Sequence, residues 1–437
     1  IPKKSDVNWV KSMRIEQQFS QLDNGEWVLT HDDMWAEMSF PALLPNALVT
    51  RTTRLAEYKF DDIPRSLLRG KARTIEEAGV PCGDLHSAER TAVELTKSEQ
   101  NIDGLVDRIR RSKGFGVIMV GVKAFAENFI ETSPTGEKSK VDIGPVNTII
   151  SHNFVDGYRF RGSARTMAAL NPHLFWKGYG AYGTRSNRWY YGSEVTYAFN
   201  KKENSPFEYP MRNLVFSSER DVMSPSDKYL VNNKDNVFMS FRTQDVRQMY
   251  FYDRQQLSFV YESDWGLSVN AGVKAESNEV AGELHFQPVN GAPEVFKIRT
   301  TELSAGIRFC PGQTFVNTKQ HRWPVNLDHP DLSLTHTMGV SGVLGGQYQL
   351  NLTELKLYKR QWLGSWGFVD FHANAAVQWN KVPFPLLIMP PANMTFMDNE
   401  VTFNLMNNME FLTDRQLFVS ASWDMNGKLL NRLPLLK

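Results

Sequence analysis

The sequence lacks the features that identify several common classes of protein. It has only two cysteines in 437 residues, Cys82 and Cys310, too few for a disulfide framework or a cysteine-ligated zinc site. No apolar run approaches the roughly 18 residues that a membrane-spanning helix needs. The 49 Lys and Arg residues balance 48 Asp and Glu residues, without a long run of either sign. A nucleic-acid-binding surface is therefore not expected.

Apolar and aromatic side chains are abundant instead. Hydrophobic residues make up 41% of the chain and aromatic residues 12%, against 22% charged residues. This composition excludes wholesale disorder, and the aromatic content favours β-structure.

Residues 1–112 have a mixed pattern. Short strand-like pieces occur at residues 26–30 and 47–50, and one apolar stripe at helical spacing is formed by Ile102, Leu105, Val106 and Ile109. We predict a small β-rich region with one amphipathic helix.

Residues 113–437 alternate between apolar and small or polar side chains, the period of a β-strand. The pattern predicts a hairpin that turns at residues 263–266. Fourteen candidate strands lie near residues 115–128, 141–151, 157–168, 173–184, 189–199, 211–221, 236–244, 248–262, 266–276, 296–310, 346–359, 366–380, 402–412 and 415–425.

Several of these segments exceed ten residues, whereas strands of soluble proteins are usually five or six residues long. Strands that cross an outer membrane need about 9–11 residues. We therefore predict an all-β fold, an antiparallel transmembrane outer-membrane β-barrel of 12–16 strands when complete. It occupies residues 113–437, and its last strands are expected to be missing; a soluble sandwich is the alternative.

The alternation assigns side chains to two faces of the predicted barrel. The lipid-facing set is Trp189, Tyr191, Val195, Tyr197, Phe199, Leu267, Val269, Ala271 and Val273. The opposite face is expected to hold a lumenal charge network of Arg159, Arg161, Arg165, Glu194, Glu262, Lys274, Glu276, Glu302, Arg308, Asp370 and His372. The three arginines, at even spacing, are interpreted as a wall of ion pairs rather than a phosphate or headgroup site.

The long stretches at residues 200–213, 277–295, 311–345 and 381–400 are rich in Pro, Asn, Asp and Gly and are predicted to be loops or loop-borne hairpins. Residues 382–396 are apolar but broken by proline, so they cannot form a central strand. This segment could plug the lumen, lie against a partner, or pack on the mouth of its own barrel.

No catalytic motif is evident. The sequence contains no HExxH, and its glycines match neither a dinucleotide loop nor a GxSxG elbow. His372 beside Asp370 could serve in a hydrolase, although such a pair on a strand more often makes lumenal hydrogen bonds. We predict no catalytic residue, no metal and no cofactor; a non-enzymatic role is favoured, and enzymatic activity stays open.

Several separated motifs resemble one family of proteins. They are the runs at residues 153–162, 178–183, 187–192, 380–391 and 405–411. In this order they are similar to a Bacteroidota family of outer-membrane β-barrels of unassigned function. The resemblance implies an N-terminal carboxypeptidase-regulatory-like sandwich, which is not evident here, and a periplasmic region before the barrel, so residues 1–112 are expected in the periplasm.

The resemblance implies a location in the outer membrane of a Gram-negative bacterium, in contact with outer-membrane lipid. The leading hypothesis is a scaffold, assembly or export component with envelope protein partners. An outer-membrane enzyme or lipid-handling protein is the second hypothesis, and a substrate-specific channel the third.

Overall fold

The structure is a computed structural model that describes residues 10–40, 44–55, 58, 120–121, 124, 127–133, 138–230, 233–289, 291–319, 321–397 and 399–425. The chain divides into two compact units, residues 1–116 with 426–437, and residues 117–425. The helix predicted around residues 102–109 lies outside the described residues. In the part of the chain that is described, no helix is long and apolar enough to cross a membrane.

The first unit contains a three-stranded antiparallel sheet. Its strands are β1 Val10–Gln21, β2 Trp27–Phe40 and β3 Leu44–Arg54, in that order. Arg54 on β3 binds Asp33 on β2 at 2.6 Å, and this hydrogen bond lowers the pKa of the Asp33 carboxyl. The strands are longer than the short pieces expected from the sequence.

The second unit is built on one large antiparallel sheet. Its strands, together with the separate hairpin β14–β15, are β4 Ile130–Glu131, β5 Val141–Ile143, β6 Ile150–Asn153, β7 Gly157–Thr166, β8 Leu174–Gly183, β9 Arg188–Ala198, β10 Arg212–Met223, β11 Gln248–Glu262, β12 Leu267–Gly282, β13 Lys297–Phe309, β14 Phe315–Asn317, β15 Arg322–Pro324, β16 Asp331–Gly339, β17 Asn351–Trp362, β18 Phe368–Gln378 and β19 Arg415–Asp424.

Neighbouring strands of this sheet follow the chain. The order is β19-β18-β17-β16-β13-β12-β11-β10-β9-β8-β7-β5-β4, and β6 also pairs with β7. Short helical segments in the connections are Val146–Thr148, Pro225–Tyr229, Val237–Ser240, Gly364–Trp366 and Phe384–Leu386. The predicted all-β antiparallel fold is confirmed. Among the described strands none joins β19 to the β4–β6 edge, so the sheet is open there.

The predicted hairpin is formed by β11 and β12. Its turn requires glycine, because Gly266 has a φ of +93° and an added Cβ would lie 2.4 Å from the carbonyl oxygen of Cys310. The hydroxyl of Ser263 accepts a hydrogen bond from the backbone of Leu267 at 3.0 Å and fixes the first residue of β12.

Four candidate strands of the sequence differ in the structure. Residues 115–128 lie mostly outside the described residues, and the described positions 120, 121, 124 and 127 are helical. Residues 236–244 contain a helical turn instead, because the Asn236 side chain caps it by accepting a hydrogen bond from the Phe238 backbone at 2.9 Å. Residues 402–412 form a loop with one isolated bridge, from Phe403 to Ala392. Residues 141–151 are broken at Pro145 into β5, a helical turn and β6. Conversely, β16 lies where a loop was expected.

The register of the sheet sorts its side chains onto two faces. From β7 to β19 the paired residues run in continuous antiparallel register, so even and odd positions keep to opposite faces along the sheet. One face, here named the charged face, holds all eleven residues of the predicted network. The other, the apolar face, holds the predicted lipid-facing residues of β9 and β12.

Two long connections fold over the charged face. Insert A, residues 224–247, joins β10 to β11, and insert B, residues 379–414, joins β18 to β19. The backbone of Thr243 donates a hydrogen bond to the carbonyl of Met394 at 3.0 Å. The apolar segment expected at residues 382–396 therefore packs on the chain itself, and its residues Met389, Ala392 and Met394 are buried.

Candidate functional site

Arg159 is the centre of a buried ion cluster on the charged face. Its guanidinium lies 3.2 Å from Asp156, 2.9 Å from Asp221 and 3.1 Å from Asp235, and its side chain is 0% exposed. The three carboxylates come from the β6–β7 turn, from β10 and from insert A. One arginine thus joins two strands that are not neighbours to a loop above them.

Tyrosines complete the Arg159 cluster. The hydroxyl of Tyr179 donates a hydrogen bond to Asp221 at 2.5 Å, and that of Tyr190 donates one to Asp156 at 2.6 Å. The Arg159 guanidinium also lies 4.6 Å from the centre of the Tyr190 ring. Because charged groups are costly to bury without partners, this dense pairing is what permits burial here.

Insert A is attached to the sheet through charge. Asp235 binds Arg161 at 2.6 Å as well as Arg159, and Lys234 lies 3.2 Å from both Asp221 and Asp235. Burial alone would raise the pKa of the Asp235 carboxyl, but the attraction of Lys234 and the two arginines outweighs it. The pKa of Asp235 is therefore held below its usual range.

A row of four charged residues crosses β5, β7, β8 and β9. Directly opposed in the register are Asp142, Arg165, Lys177 and Glu194. Lys177 binds Glu194 at 2.9 Å, but Arg165 approaches no closer than 3.9 Å to Asp142. The middle of the row therefore places two cations side by side.

Further ion pairs continue along the charged face. Arg254 binds Glu276 at 2.6 Å, and Lys274 binds Glu302 at 2.9 Å. The remaining pairs are Glu262 with Arg322 at 2.7 Å, Arg308 with Asp331 at 2.6 Å, Asp370 with Arg360 at 2.7 Å, and His372 with Glu400 at 3.6 Å. The predicted residues thus form several clusters rather than one network.

His372 and Asp370 are not arranged as a catalytic pair. Both oxygens of Asp370 accept hydrogen bonds from Arg360, at 2.8 and 2.7 Å. The His372 ring packs instead against the Tyr358 ring, with 4.8 Å between ring centres and 39° between the ring planes. Within the described residues, no group of three or more His, Cys, Asp or Glu side chains could hold a metal ion.

The charged face borders a cavity of about 780 Å³. Strands β7–β11 form one wall, insert A lines it through Asn233 and Lys234, and the β14–β15 hairpin lines it through His321 and Arg322. Arg322 is anchored to Glu262, and the hairpin tip residue Lys319 binds Glu131. The hairpin therefore reaches from β11 to β4 across the charged face.

The partners of the arginine row were missed by sequence reasoning. The acids of the predicted network are Glu194, Glu262, Glu276, Glu302 and Asp370, whereas Arg159 and Arg161 bind Asp156, Asp221 and Asp235. Asp221 could have been predicted as a partner of the arginines, because it lies two residues after Glu219 on β10 and therefore on the same face. Asp235 directly precedes residues 236–244, which the alternation predicted as a strand, so its place in an insert above the sheet could not be predicted from the sequence.

Comparison with known proteins identifies the family. Residues 130–437 match the model described as "Family of unknown function (DUF5686) C-terminal domain". The chain belongs to the DUF5686 family. No curated protein matches this DUF5686 chain.

Among solved structures, the DUF5686 chain is similar to BamA from Haemophilus ducreyi lacking POTRA domains 1–3. The sequence identity is 10% and the TM-score 0.35, with 86% of this chain covered. This chain spans 63% of the length of that BamA chain.

Proposed function

We propose that this DUF5686 protein is an outer-membrane β-barrel of a Gram-negative bacterium, with outer-membrane lipid against its apolar face. The proposal rests on one observation, the separation of charged and apolar side chains onto two faces of a continuous sheet. The eleven strands β7–β13 and β16–β19 are each 9–16 residues long. That length suits a tilted membrane-crossing strand.

The exposure of the apolar face supports lipid as its surroundings. Trp189 is 75% exposed, Leu417 75% and Val419 67%, although all three are large and apolar. Exposed apolar surface of this extent is rare on soluble monomers. In a bilayer these apolar side chains would contact lipid tails, and the buried ion clusters would face the interior of the barrel.

The lengths of the connections suggest an orientation. Between β7 and β19, the two longest connections, inserts A and B, lie at one rim together with those at 283–296 and 340–350. The opposite rim carries short turns such as 263–266 and 363–367, and also the longer connections 199–211 and 310–330. Outer-membrane barrels have long extracellular loops and short periplasmic turns. The rim with the inserts is accordingly assigned to the cell exterior.

The protein is proposed to act as a scaffold, assembly or export component rather than as an open pore. Inserts A and B are tied to the charged face by Asp235 and Glu400, so they would occupy the interior of a closed barrel. Envelope protein partners are proposed because insert B exposes large apolar side chains outside the strands. Phe396 is 72% exposed and Leu405 96%.

Two neighbouring substitutions on β12 test the membrane assignment. Ala271 and Asn270 are both exposed and lie on opposite faces. Ala271→Arg should reduce folding stability in lipid bilayers by about 2–4 kcal/mol, the cost of an arginine at the lipid midplane. Asn270→Arg should cost clearly less. Equal losses, or a loss for Asn270→Arg alone, would contradict the assignment of faces.

The partner role is tested on native membranes. The protein is extracted in mild detergent after crosslinking, purified, and run on a gel with and without boiling. The proposal predicts heat-modifiable migration and a stoichiometric envelope protein that is lost when Phe396 and Leu405 are replaced by serine. Recovery of the protein alone, or in a carbonate-soluble form, would contradict it.

A further inference from the structure

The cavity of about 780 Å³ beside the charged face contains hydrogen-bond donors without acceptors. Among the described residues that line it, three buried side-chain atoms lack a hydrogen-bond partner: Arg161 Nε, Arg165 Nε and Arg165 Nη2. All three are guanidinium nitrogens. Buried polar groups are nearly always paired, so these three donors are exceptional. Both carboxylate oxygens of Asp142, which lies 3.9 Å from Arg165 and outside the cavity lining, are unpartnered as well.

Cations outnumber carboxylates among the residues that line the cavity. The cations are Arg161, Arg165, Lys177, Lys234, Arg254 and Arg322, and the carboxylates are Glu194, Glu219, Asp221 and Asp227. Three of these arginines, Arg161, Arg254 and Arg322, also bind carboxylates outside the lining, whereas Arg165 approaches Asp142 no closer than 3.9 Å. Arg165 and Lys177 stand directly opposite each other on β7 and β8. Like charges in this position repel each other, so an anion between them would relieve an unfavourable contact.

The surroundings of Arg165 hold it at the cavity. Its guanidinium lies 3.6 Å from the centre of the Phe129 ring, which covers one face and leaves the edge for hydrogen bonding. On the opposite side of the cavity the hairpin places His321, and burial together with nearby Arg165 lowers the pKa of its imidazole. A neutral imidazole can still donate one hydrogen bond.

We propose that this cavity binds a phosphate-type oxyanion, held by Arg165 and Lys177 and covered by His321 of the β14–β15 hairpin. A tetrahedral oxyanion brings at least three acceptor oxygens, enough for the two unpartnered nitrogens of Arg165, once its side chain turns towards the cavity, and for the ammonium of Lys177. Arginine binds such groups through its planar fork, and lysine binds them as a point charge. The volume suits a phosphate ester as well as the free ion.

Titration calorimetry on the full chain in detergent micelles tests this site. Inorganic phosphate is added at constant ionic strength, with chloride as the counter-anion. We expect saturable binding of one phosphate, weakened at least tenfold by Lys177→Gln and by Arg165→Gln. Arg308→Gln, which removes a cation from the charged face outside this cavity, should change the affinity less than twofold.

Folding is separated from binding by a charge-neutral variant. Arg165→Gln leaves Lys319 as the one cation beside buried Asp142, so the double variant Asp142→Asn/Arg165→Gln is measured as well. This double variant should keep the melting temperature of the parent. It should still bind phosphate at least tenfold more weakly than the parent. Lys177 is 49% exposed, so its replacement should not disturb the fold.

A second arm identifies the source of the phosphate group. Soluble glycerol phosphate is compared with phosphatidylglycerol doped into the micelles. Binding of the soluble compound assigns a small molecule to the cavity, and binding of the lipid alone assigns a headgroup. Absence of binding in both arms would overturn the proposal, as would equal affinities for the parent, Lys177→Gln and Arg165→Gln, or an equal loss in Arg308→Gln.

Discussion

Arg159 on β7 and Asp221 on β10 lie 2.9 Å apart, and both side chains are completely buried. Strands β8 and β9 separate them in the sheet. The two side chains therefore meet above their neighbours, on the concave side of a curved sheet. The sheet has to curve for this contact to form, and the contact buries both charged side chains.

Replacing Arg159 should be strongly destabilising. Arg159→Gln leaves Asp156, Asp221 and Asp235 without their shared cation, and breaking a buried ion cluster in this way costs about 3–5 kcal/mol. The free energy of unfolding in urea measures the loss. Arg247→Gln is the control, because Arg247 binds exposed Asp245 and Glu283 and should contribute about 1 kcal/mol or less. Similar losses in both variants would contradict the role of burial.

Lys274 and Glu302 should behave as a coupled cross-strand pair. They are directly opposed on β12 and β13 and lie 2.9 Å apart. Lys274→Glu would bring together three carboxylates, at positions 274, 276 and 302, so we expect the free energy of unfolding to fall by about 2 kcal/mol. The exchanged pair Lys274→Glu/Glu302→Lys should recover part of it, with a coupling of about 1–3 kcal/mol in a double-mutant cycle. Additive losses would show that the two side chains act independently.

The contribution of Asp235 should depend on pH. Its pKa is lower in the folded protein than in the unfolded chain, so the folded state binds fewer protons, and its stabilisation is complete above the unfolded pKa of about 3.9. Asp235→Asn should therefore lower the melting temperature at pH 7. As the pH falls below about 4, the parent should approach the variant. A difference that grows towards low pH would have the wrong sign.

Removal of insert B should open the interior. Val377 and Arg415 are paired at the ends of β18 and β19, so a four-residue linker can replace residues 381–412. In planar bilayers the parent should show little conductance and the shortened protein several-fold more. The double variant Val343→Ser/Leu344→Ser, exposed on the same rim, should behave as the parent. A large conductance of the parent would favour a substrate-specific channel.

The sequence predicted the strands well where one face is apolar throughout. The alternation in 189–199 and 266–276 predicts strands without ambiguity, because each apolar side chain points away from the charged face. The structure has β9 and β12 at these positions. In β16 the same alternation of Leu332, Leu334 and Met338 is interrupted by His336 and lies in a stretch rich in Pro and Asp. This segment is a strand because it pairs with β13 and β17, and the sequence of the segment alone does not predict that pairing.

The charged residues were predictable as a set but not as pairs. Period-two spacing places Arg159, Arg161 and Arg165 on one face, as the register has them. Their partners depend on the curvature of the sheet and on the path of insert A. Asp235 is 74 residues from Arg161 in sequence, and the neighbouring residues 236–244 were predicted as a strand rather than as part of an insert.

The central claim, that the apolar face meets lipid and the charged face does not, is tested most directly with nitroxide labels at positions 271 and 270. Each label is attached to Ala271→Cys or Asn270→Cys in a chain with Cys82→Ser and Cys310→Ala, reconstituted in lipid bilayers. The account predicts that the label at 271 collides frequently with oxygen and rarely with a polar nickel complex, and that the label at 270 is protected from oxygen. Equal access of the nickel complex to both labels would contradict it.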